Sequence, residues 1–107
     1  MEQLTLNDFQ TRAGTYQLPT APPEERIFGL IEEVGEVAAI FKRLLRGDYQ
    51  DEEAGKKLIK ELGDVLWYLS RIAADNDTSL QEVADACLSK LESRKTRNLI
   101  IGSGDDR

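Results

Sequence analysis

Residues 33–37 read Glu33-Val34-Gly35-Glu36-Val37, and residues 61–65 read Glu61-Leu62-Gly63-Asp64-Val65. Both follow one pattern: acid, apolar, glycine, acid, valine. Acids three residues apart lie on one side of a helix. Apolar residues recur around each stretch with helical spacing. In the first, Ile27, Leu30, Ile31, Val34, Val37, Ala38, Phe41, Leu44 and Leu45 fill one arc, and Glu33 and Glu36 border it. In the second, Leu58, Ile59, Leu62, Val65, Leu66, Leu69 and Ile72 form the arc, and Glu61 and Asp64 border it on the same side. Two such helices packed together aim four carboxylates at one spot. Carboxylates held that close repel unless a cation lies between them, and a hard divalent metal suits oxygen ligands. A solvated flank is the plainer reading of any single acidic pair. The duplication, the border position and the enclosed glycines favour a site. A glycine inside a helix costs about 1 kcal/mol relative to alanine, so Gly35 and Gly63 point to a reason for their presence, such as close backbone approach.

Working outward, the first of these helices begins at Pro23 or Glu24, where proline and acids suit a helix start, and runs to about Arg46. Gly47 is its natural stop. Arg46-Gly47-Asp48 spells an adhesion tripeptide, but a charged helix end explains it better. The second spans about 51–74. A short helix over residues 6–16 precedes both, with Thr5 or Asn7 as its cap. Pro19, Pro22 and Pro23 keep the following stretch irregular. Asp75-Asn76-Asp77-Thr78 resembles the start of a calcium loop, but Leu80 and Ala86 stand where glycine and a bidentate glutamate belong. A last helix starts from the capping box Ser79 to Glu82 and ends near Arg97. Leu80, Val83, Ala84, Cys87, Leu88 and Leu91 form its stripe, which predicts a buried thiol at Cys87. Phe41 reads as core and Trp67 as an interface residue. Tyr68, on the acidic edge, reads as a substrate contact. No strand pattern appears. The expectation is one all-α domain over 1–107: a short helix and loop in 1–22, a helical core in 23–97 and a tail in 98–107, completed by oligomerisation.

A net charge of −6 argues against nucleic acid polymers and anionic membranes as partners. With no histidine, imidazole bases and His-Cys zinc sites are excluded. A single cysteine excludes an internal disulfide framework and fits a reducing compartment. With no signal-like segment and no long apolar run, the expected location is cytoplasmic.

Glu32-Glu33-Val34-Gly35-Glu36, followed by Glu61-Leu62-Gly63-Asp64, resembles the EExxE…ExxD signature of the MazG-like nucleoside triphosphate pyrophosphohydrolases. The likeness covers about residues 25–97. It implies a four-helix-bundle-like MazG fold and Mg²⁺-dependent cleavage of nucleoside triphosphates between the α and β phosphates, with Mn²⁺ as a substitute. It also implies a house-cleaning role in the nucleotide pool. Carried across, Glu33, Glu36, Glu61 and Asp64 are the metal ligands. Glu32 is a second-metal ligand, a water-positioning base or an outer partner. Without histidine, Glu32 or Glu36 is the natural proton acceptor. Lys90, Arg94 and Arg97 form a basic stripe that is either dipole complementation or, as the resemblance implies, phosphate contact. The resemblance also implies a homodimer or homotetramer. Related chemistries stay open: a dedicated dUTPase, dCTPase or phosphoribosyl-ATP pyrophosphohydrolase, or a non-catalytic helical interaction module. The glycine-rich tail is either frayed or an anion-binding nest.

Overall fold

Thr5 starts the first helix by accepting a hydrogen bond on Oγ1 from the Asp8 amide, at 3.0 Å. From there a computed structural model describes residues 2–107 as four helices: α1 (Leu6–Gly14), α2 (Pro23–Leu45), α3 (Asp51–Asp75) and α4 (Leu80–Thr96). No strand occurs among the described residues. The all-α expectation holds, and the predicted bounds of the three long helices fall within a residue or two. α1 stops at Gly14, where a Cβ would meet the Arg71 guanidinium.

The three long helices end alike. After α2, the Gly47 amide donates to Leu44 and the Asp48 amide to Arg43. Asp77 and Asn98 play the Gly47 part after α3 and α4. All three sit in the left-handed region, with φ of 85°, 57° and 59°. This is the paired C-terminal cap that satisfies carbonyls the helix leaves open. Arg46 pairs with Asp48 at 2.5 Å, so the adhesion-like tripeptide is a helix stop. Asp75 is taken by Arg26, so the calcium-like opening binds protein. Ser79 caps α4 by accepting from the Glu82 amide at 3.0 Å, while the Glu82 carboxylate turns to Thr78.

α3 is the central element. It packs along α2 on one side and meets α1 and α4 on another, while α2 contacts α3 alone. Gln10 knits the second side. Its amide nitrogen donates to the carbonyls of Ser70 and Thr78, and its oxygen accepts from the Leu80 amide at 2.9 Å. Arg71 donates to the Gln10 carbonyl, and the Trp67 indole donates to that of Ala13 at 3.0 Å. α1 thus lies against the Trp67 indole, and Trp67 is half-buried.

The core of the single chain is thin. Its buried apolar residues are Ala13, Ile40, Ala54, Ala73 and Leu80. Several expected core positions stay open. Phe41 is 48% exposed, and Val83, Leu88 and Leu91 on α4 lie open with Cys87. The periodic stripes are real, but each is wider than the one neighbour that covers it. The glycine expectation also fails within the chain. Nothing approaches Gly35 or Gly63, whereas a Cβ at Gly29 would fall inside the Tyr68 ring.

Candidate metal centre

α2 brings Glu33, and α3 brings Glu61 and Asp64, to one place. One carboxylate oxygen from each lies within 4.8 Å of the others. Glu33 and Glu61 are half-buried and Asp64 is exposed. None of the three has a salt bridge among the described residues. The Glu33 carboxyl is pushed up to about 7, first by burial, then by a hydrogen bond with Glu61 and the charges of Asp64, Glu61 and Glu32. Three acids held together without a counter-charge fit a cation. Oxygen donors of this kind are the ones a hard divalent cation such as Mg²⁺ takes.

Glu36 stands one turn beyond Glu33, exposed and outside the three-oxygen cluster. Glu32 is exposed beside it and acts electrically on both Glu33 and Tyr68. Tyr68 packs over Gly29, one turn before Glu33, and its ring meets Trp67 edge-on at 5.0 Å. Burial raises the Tyr68 phenol, and Glu33, Glu25, Glu32 and Asp64 add to the effect. The phenol thus stays protonated, a donor facing an acidic site.

The basic stripe is arranged differently. Arg94 is buried, Lys90 half-buried and Arg97 exposed. All three hold the tail, and α4 does not touch α2. A single chain therefore gathers the acids on α2 and α3 and keeps the cations on a separate helix.

Sequence reasoning missed Gly29, the seat of Tyr68. Its signal was available: a helical glycine four residues before Glu33, outside the duplicated motif. The match with known proteins covers the same helices. The MazG nucleotide pyrophosphohydrolase domain matches residues 22–98. The chain belongs to the MazG nucleotide pyrophosphohydrolase family. Both acid pairs and the whole of α2, α3 and α4 fall inside the match. The Gene 37 protein of Mycobacterium phage L5 is 43% identical over 81 residues, covering 74% of this chain and 71% of that protein. No solved structure matches significantly. No helix is long and apolar enough to cross a membrane among the described residues.

Proposed function

We propose that this MazG-family chain hydrolyses nucleoside triphosphates between the α and β phosphates, using Mg²⁺ held by its acidic cluster. The observation that carries the reading is the convergence of Glu33, Glu61 and Asp64 from two helices with no cation of their own. These three would hold the ion, joined by Glu36 from the next turn, and Mn²⁺ would suit the same donors. When bound, Mg²⁺ offsets phosphate charge and acidifies water. Glu32, or Glu36 if it is not a ligand, accepts the proton of the attacking water. The water oxygen bonds to the α phosphorus, the α–β bridging bond breaks, and pyrophosphate leaves with the nucleoside monophosphate as co-product. Tyr68 donates a hydrogen bond to the substrate. Lys90, Arg94 and Arg97 meet the leaving phosphates.

The same reading includes a homodimer or homotetramer. Ile27, Phe28, Ile31 and Val34 on α2 are 48–70% exposed, an apolar face too large for an isolated small domain to leave in water. A second copy laid on it buries that face and is the means of bringing a basic stripe to an acidic cluster. Clearing aberrant nucleotides from the pool is the role this chemistry suits.

The test is direct. Incubate the protein with Mg²⁺ and a panel of standard and modified nucleoside triphosphates, and separate the products. Monophosphate and pyrophosphate support the reading, as does their loss in Asp64→Asn. Orthophosphate with the diphosphate, or full activity in Asp64→Asn, overturns it.

A further inference from the structure

The tail after α4 is folded, and Asp105 anchors it. Its Oδ1 accepts from Lys90 Nζ at 3.0 Å and from Arg94 Nη2 at 3.3 Å. Arg94 Nη2 also donates to the Asp105 carbonyl at 2.6 Å and to that of Gly104 at 3.4 Å. Arg107 closes the loop from inside, donating to the carbonyls of Leu99, Gly104 and Ile100. Arg97 donates to the Arg107 carbonyl. Positive φ at Gly102 and Gly104, 147° and 88°, lets the strap turn back. Lys90 and Arg94 hold the Asp105 carboxyl below its usual range, in that order of strength.

Two features make this closure displaceable. First, the strap is held by polar contacts. Leu99, Ile100 and Ile101 are 37%, 48% and 95% exposed, so none of them is fully buried. The contacts made by Lys90, Arg97 and Arg107 are exposed, and exposed polar contacts open easily, while those of Arg94 are part-buried. Second, the Arg94 side chain is used poorly. It is more than nine-tenths buried, yet its Nε has no partner while Nη2 serves three acceptors. A guanidinium pairs best through two nitrogens with two oxygens of one anion. A single carboxylate oxygen does not supply that, and a phosphate does.

We propose that residues 102–107 form a competing strap. Asp105 occupies, at Lys90 and Arg94, the place that the phosphates of an incoming polyphosphate take, and the strap must lift for them to bind. This rests on the assignment of these cations to phosphate contact. It makes substrate entry an exchange of one anion for another. A carboxylate of single charge yields to a polyphosphate carrying several charges and many acceptor oxygens.

The experiment uses inorganic tripolyphosphate with the full chain in EDTA, so that neither hydrolysis nor the metal enters. Calorimetric titration compares the wild type with Asp105→Asn and Lys90→Ala, after thermal melting has established that the variants fold. Loss of an exposed ion pair from the closed state should tighten tripolyphosphate binding about threefold or more in Asp105→Asn. Lys90→Ala should weaken it. Amide exchange over residues 99–107 should speed up when tripolyphosphate binds the wild type. Unchanged or weaker binding by Asp105→Asn, unchanged binding by Lys90→Ala, slower strap exchange, or no binding at all would each overturn the proposal. Failure of nucleotide hydrolysis would sink the proposed function and leave this titration standing. A flat Asp105→Asn result beside intact hydrolysis would sink the strap alone.

Discussion

Arg26 and Asp75, 49 residues apart, form a two-point ion pair that joins the first turns of α2 to the last turn of α3. The Arg26 side chain is 4% exposed and that of Asp75 19%. Removing one partner of a buried pair leaves the other charge stranded, which costs about 3–5 kcal/mol. Asp75→Ala strands the buried Arg26, so it should cost about 3 kcal/mol in urea unfolding. A loss below about 0.5 kcal/mol would mean that the pair is solvated and does not clamp the helices.

The glycines of α2 and α3 separate by their surroundings. Gly35 and Gly63 face open space, while Gly29 lies under the Tyr68 ring. In open helix, alanine is better than glycine by about 1 kcal/mol, so Gly35→Ala and Gly63→Ala should stabilise. Gly29→Ala should destabilise by about 1–3 kcal/mol through overpacking, and should lower kcat/KM by moving Tyr68. Denaturant midpoints check the first point and steady-state kinetics the second. Destabilisation by Gly35→Ala would place that position against a second subunit.

Which parts of this arrangement the sequence reveals depends on the range of the interactions. The acid pairs, the helix stop at Gly47 and the Ser79 cap all follow from residues within a turn or two of one another. The Arg26–Asp75, Arg71–Gln10 and Gln10–Leu80 contacts span 49, 61 and 70 residues, and no local pattern announces them. Helical periodicity marks an apolar stripe but not what covers it, so Cys87 and Phe41 looked buried and are open. The acids of the site were legible because their spacing is local. Lys90 and Arg94 were legible as a stripe, but their engagement by Asp105 was not, since it depends on a turn at Gly102 and Gly104.

Asp64 should trade stability for metal. With no cation present it repels Glu33 and Glu61, so Asp64→Asn should raise the metal-free melting temperature by about 2–5 °C. The wild type should gain stability with Mg²⁺ by mass action, and the variant should gain little. Melting curves with EDTA and with Mg²⁺ give all four values. An unstable metal-free variant with an undiminished Mg²⁺ response would remove Asp64 from the ligand set.

Glu33 sets the sign of the pH dependence. Its carboxyl rises from about 4.5 in the unfolded chain to about 7 in the metal-free fold. Below about 4.5 both states carry the proton, and the stabilisation is fully present. Between about 4.5 and about 7 the unfolded chain ionises first, so it binds fewer protons and stability falls as pH rises. Above about 7 both states are ionised and this contribution is flat. In EDTA the melting temperature should therefore drop by about 5 °C between pH 5 and pH 8. Glu33→Gln has no proton to lose and should flatten that drop. Mg²⁺ at pH 8 should restore the wild type, because the metal favours the ionised carboxylate that the bare fold resists. An equally steep drop in Glu33→Gln would assign the dependence to other groups and leave Glu33 an ordinary surface acid.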